Sequence, residues 1–122
     1  MEVQVRIGPT YSGDQDVERL FRLYRGRAQK TTRQLAQIFK FRPLSRLLMR
    51  PLRPDSQCYG MLIYKPGEGY TIAMHLELCR RLKDRGLEIV DHECSHIAAV
   101  RLHGYWGHGR IFQGIYQVAR MP

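Results

Sequence analysis

Residues 87–102 read LEIVDHECSHIAAVRL and contain the pattern His-Glu-x-x-His at positions 92–96. Four apolar residues recur at helical spacing, so we predict a helix over 87–102 that turns these residues toward the core: Ile89, Val90, Ile97 and Val100. Positions i and i+4 share one helix face, so His92 and His96 are predicted to bind one metal ion together. Glu93 directly follows the first of these histidines and is predicted to lie over the open coordination position.

A catalytic zinc ion has three protein ligands and a fourth position for water, so the histidine pair requires a third ligand. His108 is the preferred candidate, because the glycine-bearing break at 104–107 lets the chain turn back toward the pair. His103 is disfavoured unless the helix ends early, since it lies two turns beyond His96, about 10 Å away by helical rise. His75, at the end of a predicted strand, is expected to be an ordinary exposed or core histidine. Both remain alternatives to His108.

Two neighbours of the histidine pair have more than one interpretation. Cys94 lies two positions after His92 and therefore points away from the shared face, so we predict that it is not a ligand. The three cysteines are odd in number and form no Cys-x-x-Cys pair, which predicts reduced thiols rather than a disulfide framework or a zinc ribbon. Asp91 either orients a ligand histidine from behind or is a surface acid near the helix start, and the second is our expectation.

The predicted site has the chemistry of a zinc hydrolase. Bound zinc lowers the pKa of water toward neutrality. Glu93 is the predicted general base, which takes a proton from water and passes it to the leaving nitrogen of a peptide. A structural zinc site is usually closed by four ligands rich in cysteine, and this chain offers no such set. Three residues close to His108 are candidates for contact with substrate or an oxyanion, with packing as the alternative role: Tyr105, Trp106 and Arg110.

The length and composition indicate one globular domain over residues 1–122. Of the 122 residues, 43% are hydrophobic and 25% are charged, which is ordinary globular composition. No apolar run approaches the roughly 18 residues that a membrane span requires, and the N-terminus lacks the basic-then-apolar order of a signal peptide. We therefore expect a soluble, cytoplasmic protein with no membrane partner; the sequence does not indicate its oligomeric state.

The positive charge is concentrated in the first half of the chain. Residues 1–53 contain twelve Lys/Arg and four Asp/Glu, whereas residues 54–122 contain eight and seven, within a net charge of +9. A clustered basic surface is the electrostatic footprint of a nucleic-acid binder, so DNA is a candidate partner of the basic N-terminal half. The alternative is a solvated arginine-rich face, since sixteen of the twenty cations are arginine.

The N-terminal half predicts a strand, a long helix and a connection. Three alternating apolar residues predict a short strand that stops at Gly8-Pro9: Val3, Val5 and Ile7. Apolar residues at helical spacing predict one long helix over 15–40, capped by Asp14 or Asp16. Residues 41–54 are rich in arginine and proline and are predicted to form a loop that tucks its leucines under the domain.

The C-terminal half predicts a hairpin followed by helices. Residues 59–64 and 70–75 are β-rich runs joined by a turn at 65–69. Residues 77–85 predict a short helix or turn that ends at Gly86, before the metal helix, and residues 111–119 predict a last short helix. The whole is predicted to be an α+β domain in which a small antiparallel sheet packs with these helices.

The motif residues resemble the SprT-like family of zinc metallopeptidases, the SprT and Spartan type. The family pattern is a His-Glu-x-x-His helix and then, after a glycine-bearing loop, His-Gly-x-x-Phe/Trp. Here these are His92 to His96 and His108-Gly109-Arg110-Ile111-Phe112. The upstream order of long helix and hairpin is also similar over most of 15–120. The resemblance implies a zincin-like fold, one zinc ion per chain on His92, His96 and His108, and Glu93 as the catalytic acid/base.

The resemblance also implies a function. Spartan-type relatives cleave proteins crosslinked to DNA, so we expect a zinc metalloendopeptidase whose protein substrates are associated with DNA. The chain ends at Pro122 without the cysteine zinc ribbon that many relatives carry, and is therefore expected to be a minimal form of the family. The alternative hypothesis is a DNA-binding or regulatory module whose metal site is structural or vestigial.

Overall fold

In the computed structural model, which describes residues 1–81 and 83–121, a strand and a long helix are followed by three strands and then by three helices. The strands are β1 (Glu2–Val5), β2 (Arg46–Pro51), β3 (Gly60–Lys65) and β4 (Gly69–Met74). The helices are α1 (Gln15–Phe39), α2 (Leu76–Arg81), α3 (Lys83–His103) and α4 (Arg110–Ala119), with a 3-10 turn at Pro9–Tyr11. The prediction of a mixed α+β protein is confirmed.

The long N-terminal helix is confirmed almost to its predicted ends. The side chain of Asp14 caps it by accepting hydrogen bonds from the backbone N–H groups of Asp16, at 3.0 Å, and Val17, at 3.2 Å. The helix ends where Lys40 adopts a left-handed conformation with φ 57°. Its apolar stripe is buried in the core and includes Val17, Phe21, Tyr24, Ala28 and Leu35. Helix α1 packs against α3, α4 and the edge strand β1.

The sheet is mixed, so the prediction of an antiparallel sheet is wrong for most of its pairs. The strand order is β1-β2-β4-β3. Strand β1 pairs in parallel with β2, and β2 pairs in parallel with β4; only the β3–β4 hairpin is antiparallel. Parallel neighbours need a crossover connection, and α1 provides one between β1 and β2. The hairpin itself was predicted from its turn and is confirmed.

Residues 46–51 form strand β2 instead of belonging to the predicted loop over 41–54. Leu47 and Met49 are fully buried on one face of the sheet, while Arg46 points to solvent. The prolines that suggested a loop flank the strand or lie at its last residue. Strand β2 is central because it pairs with both β1 and β4, and that environment is set by residues distant in the sequence.

The motif helix begins at Lys83 rather than at 87, so the predicted end of a separate helix at Gly86 is wrong. Gly86 lies within α3, where an added Cβ atom would overlap the hydroxyl of Tyr24 from α1. The two helices therefore approach each other closely at this position. Helix α3 packs against α1 and α4 on its sides and against β3 and β4 of the sheet. The predicted last helix, over 111–119, is confirmed as α4.

Asp91 is buried, so the expectation of a surface acid is wrong. Its carboxylate is 1% exposed and accepts hydrogen bonds from Arg27 Nε at 2.9 Å, Arg27 Nη2 at 2.6 Å and Thr31 Oγ1 at 2.8 Å. A second contact one turn along joins the hydroxyl of Thr32 to the thiol of Cys94 at 3.4 Å. These polar contacts join α1 to α3 and fix which face of α3 is turned away from α1.

Within the described part of the chain, no helix is both long and apolar enough to cross a membrane. The three cysteines are free, as predicted: Cys58 is exposed, and Cys79 and Cys94 are buried.

We predict that Arg27→Met lowers the free energy of unfolding by about 3 kcal/mol, because the buried carboxylate of Asp91 then lacks its counter-charge. Arg25→Met is the matched control, since Arg25 is an exposed arginine of the same helix. It should change the free energy of unfolding by less than about 0.5 kcal/mol. Urea unfolding followed by circular dichroism measures both variants. Equal destabilisation by the two changes would contradict a stabilising role for the buried pair.

Candidate metal centre

Three histidines converge at one point beside helix α3. His92 and His96 lie one turn apart on α3, and His108 lies in the segment between α3 and α4. One ring nitrogen from each lies within 4.8 Å of the others, and Nε2 of His96 is 3.0 Å from Nε2 of His108. The ring centroids are 4.6 to 5.3 Å apart. These three side chains are able to hold a metal ion.

The other two histidines lie elsewhere and are not part of this cluster in the described residues. His75 is buried after β4; its N–H donates to the carbonyl of Tyr59 at 2.8 Å, and its Nδ1 accepts from the N–H of Leu78 at 3.4 Å. The ring of His75 therefore accepts a hydrogen bond from the first turn of helix α2. His103 is the exposed last residue of α3.

The loop that carries His108 is wrapped around the ring of Tyr105. Helix α3 ends where Gly104 adopts φ 63°, and the N–H groups of Gly104 and Tyr105 bond back to the last turn of the helix. The hydroxyl of Tyr105 accepts a hydrogen bond from the N–H of Gly109 at 2.8 Å. An added Cβ at Gly109 would lie 2.6 Å from that hydroxyl, so a side chain at this position would displace the ring of Tyr105. This contact holds the backbone beside His108.

Phe112 forms the apolar floor of the cluster. Its fully buried ring stacks on His96 with a centroid distance of 4.2 Å and meets His92 edge-on at 4.7 Å. Tyr116, one turn later on α4, stacks on Phe112 and lies 5.5 Å from His92. Nδ1 of His96 is buried without a hydrogen-bond partner among the described residues. Packing on Phe112, rather than a hydrogen bond at that atom, therefore orients the His96 ring.

Burial keeps two of the histidines neutral at physiological pH. Burial, together with the neighbouring rings of His92 and His108, lowers the pKa of His96 to about 4. The pKa of His92 is also lowered, first by burial and then by His108. Neutral imidazole is the form that binds a metal. Three imidazoles that face one another without a carboxylate or thiol among them fit a borderline divalent ion such as zinc.

Glu93 lies next to the histidine cluster, in the wall of a cleft of about 320 Å³. Glu93 is 4% exposed, and burial raises its pKa to about 7. The cleft is formed where strand β3 approaches helix α3: an added Cβ at Gly60 would lie 3.4 Å from Oε2 of Glu93 and 2.5 Å from Cγ2 of Ile89. The carboxyl group of Glu93 is therefore desolvated and close to an open cleft.

The residues that line the cleft differ from the predicted substrate contacts. Tyr105 uses its hydroxyl inside the His108 loop, and Trp106 and Arg110 are exposed residues that do not line the cleft. Five lining residues were not predicted: Tyr59, Gly60, Arg85, Glu88 and Tyr116. Arg85 and Glu88 share a helix face with His92, at spacings of seven and four. The signal for Arg85 was missed because the helix was predicted to begin at 87, whereas Glu88 lay within the predicted helix and its spacing to His92 was not used. For the other three residues no sequence signal exists.

Neither a protein-family model, nor a curated protein, nor a solved structure matches this chain.

We predict that the purified protein binds one zinc ion and that His108→Ala weakens this binding by more than about 100-fold, because one of three nitrogen ligands is lost. His103→Ala removes a histidine that lies outside the cluster and should bind zinc like the unmodified protein. Competition with a chromophoric chelator measures the affinity, and elemental analysis measures the stoichiometry. Similar weakening in both variants, or full zinc affinity without His108, would contradict the assigned cluster.

We predict that Tyr105→Phe weakens zinc binding by about tenfold, because the N–H of Gly109 loses its acceptor and the loop beside His108 loosens. Tyr64→Phe removes a hydroxyl from an exposed tyrosine of strand β3 and serves as the control. Both proteins are measured in the same chelator competition. An unchanged affinity in Tyr105→Phe would show that the hydrogen bond does not position His108.

Proposed function

We propose that the protein is a zinc-dependent metallopeptidase of the SprT-like type with a zincin-like arrangement of helix and sheet. The observation that carries this proposal is the placement of the buried carboxyl group of Glu93 beside three converging imidazoles at an open cleft. His92, His96 and His108 are the residues that hold the metal. When bound, zinc supplies Lewis acidity, which polarises a carbonyl group and favours deprotonation of water.

Glu93 is the proton carrier of the proposed reaction. A pKa of about 7 places the carboxyl group midway between its two protonation states at neutral pH, where a general base is most effective. Glu93 takes the proton from the attacking water and returns it to the leaving nitrogen as the peptide bond breaks. The desolvated surroundings that raise this pKa also keep competing bulk water away from the carboxyl group.

The sheet edge beside the cleft suits an extended peptide. In the order β1-β2-β4-β3, strand β3 is at the edge of the described sheet, so its outer backbone groups are not used by another strand of that sheet. An added peptide strand forms backbone hydrogen bonds with such an edge. Because Gly60 of β3 lies against Glu93, a peptide on this edge passes close to the carboxyl group and the histidines. This supports a protein or peptide substrate.

The alternative of a module with a structural metal site has less support. A structural site is normally closed by four protein ligands, whereas three side chains converge here in the described part of the chain. A purely structural site also gives no reason to bury a carboxyl group at the cleft, because desolvation of that group costs stability.

We predict that Glu93→Gln retains one zinc ion per chain and loses about 10³-fold in the rate of peptide hydrolysis, because a proton-transfer group is removed without changing the ligands. Glu88→Gln is the matched control: Glu88 lies in the same cleft and on the same helix, and it should retain activity within a few-fold. Hydrolysis of a quenched fluorescent peptide library by the zinc-loaded proteins measures both. A zinc-loaded Glu93→Gln variant with unchanged activity, or a zinc-loaded native protein without any activity, would refute the proposal.

A further inference from the structure

The cleft beside Glu93, called the metal cleft below, lies at the start of strand β3. Another concavity, of about 380 Å³, lies toward the other end of this strand. It is bounded by the segment after α1, the starts of β2 and β4, the end of β3 and the last turns of α3. Three arginines line it: Arg42, Arg46 and Arg101. Two tyrosines, Tyr64 and Tyr70, complete its charged and aromatic lining, and none of the described residues that line it is acidic. We refer to it below as the arginine–tyrosine pocket.

Backbone carbonyls hold two of the guanidinium groups at this pocket. Arg101 donates from Nη2 to the carbonyl of Arg42 at 2.7 Å, and Arg46 donates from Nη2 to the carbonyl of Glu68 at 2.9 Å. A guanidinium group has five N–H donors, so these contacts leave most of the donors available to a ligand.

The charge of the pocket is not neutralised by internal ion pairs. Arg27, Arg80 and Arg120 each lie within 4.0 Å of a carboxylate oxygen. In contrast, no ion pair joins any of the three pocket arginines to a carboxylate within residues 1–81 and 83–121. Glu68 contributes its carbonyl oxygen, and Glu2 is the register partner of Arg46 on β1. Three arginines that line one concavity and form no ion pair among the described residues attract an anion.

The two tyrosines give the pocket an aromatic surface. Tyr64 and Tyr70 are register partners on β3 and β4, with ring centroids 4.9 Å apart and planes tilted by 46°. Tyr70 is 7% exposed and supports the ring of Tyr64, which is 48% exposed. An exposed ring that is held by a buried neighbour loses little entropy when a planar group stacks on it. This ring therefore suits an aromatic ligand group placed beside the guanidinium groups.

We propose that the arginine–tyrosine pocket binds a nucleotide unit, with its phosphate on Arg46 and Arg101 and its base on the ring of Tyr64. Arginine forks match phosphate oxygens, and an exposed tyrosine stacks on any unpaired base. The pocket volume falls within the range of sites for small organic ligands, about 300–1,000 Å³. A free nucleotide and a single-stranded nucleic acid share this chemistry, whereas bases within a duplex are already stacked. The proposal concerns binding alone and does not rest on the proposed peptidase activity.

The test is fluorescence anisotropy with the full chain and two probes: a dye-labelled ten-nucleotide oligothymidylate and a dye-labelled ADP. The double variant Arg46→Gln/Arg101→Gln removes two pocket cations, and Arg22→Gln/Arg25→Gln removes two exposed cations of α1 as the matched control. We expect the pocket variant to weaken binding at least about tenfold, and the control to change it by about twofold or less. Thermal unfolding of each variant checks that the fold is retained.

Salt dependence separates the roles of the arginines and Tyr64. For the oligonucleotide, the slope of log affinity against log salt should become shallower by about 0.7 in the arginine variant, as expected when one phosphate loses its cationic partners. Tyr64→Leu should weaken binding about tenfold and leave this slope unchanged, because stacking releases no counterions.

Three results would overturn the proposal. The first is the absence of binding to both probes. The second is equal weakening in the pocket and control variants, which would mean that binding depends on overall charge. The third comes from a dye-labelled DNA duplex measured as a further probe in the same assay: a duplex that binds as tightly as the single strand would exclude stacking on Tyr64. Binding of the oligonucleotide alone identifies a nucleic-acid strand as the source of the nucleotide, and binding of ADP as well shows that one nucleotide unit is sufficient.

Discussion

The buried ion pair between Asp91 of α3 and Arg27 of α1 fixes the orientation of helix α3. The candidate metal centre, formed by the three clustered histidines and Glu93, depends on this orientation. Thr31 adds a third donor to the carboxylate, and Thr32 contacts Cys94 one turn further along. These contacts hold the face of α3 that carries Asp91 and Cys94 against α1. His92 and Glu93, which lie between these two residues in the sequence, are therefore directed toward the sheet edge and α4. A buried carboxylate in an otherwise apolar interface is stable only with its partners in place. The rotation of α3 is therefore tightly specified.

The candidate metal centre contains titratable groups whose burial would lower the stability of an ordinary protein core. His96 is kept neutral by burial, and Glu93 is driven toward its protonated form by the same loss of solvent. The ring nitrogen Nδ1 of His96 also lies buried without a partner among the described side chains. Perturbed titratable groups that lie together at a cleft are typical of functional sites, where reactivity outweighs the cost in stability. A divalent ion on the three imidazoles would recover part of that cost.

Strand β3 connects the cleft beside Glu93 with the arginine–tyrosine pocket. Gly60 at its start borders the metal cleft, and Tyr64 near its end borders the arginine–tyrosine pocket. Helix α3 also reaches both, because it carries His92 and Glu93 in its middle and Arg101 near its end. The arginines of the pocket come from both halves of the chain, so the division of charge near residue 53 does not correspond to a division of the surface.

The sequence by itself determined the elements whose signals are local. The apolar stripe of α1, the turn of the hairpin and the i, i+4 spacing of His92 and His96 depend on residues within a few turns of each other. The tertiary structure alone decided the place of β2 in the sheet, the burial of Asp91, the use of the Tyr105 hydroxyl in its own loop, and the presence of Tyr59 and Tyr116 at the cleft. The contact of Tyr105 depends on how its own loop folds back. The others depend on a partner distant in sequence: β4 for β2, Arg27 for Asp91, and helix α3 for the cleft residues. Local spacing carries no information about such partners, because burial and pairing are properties of the assembled chain.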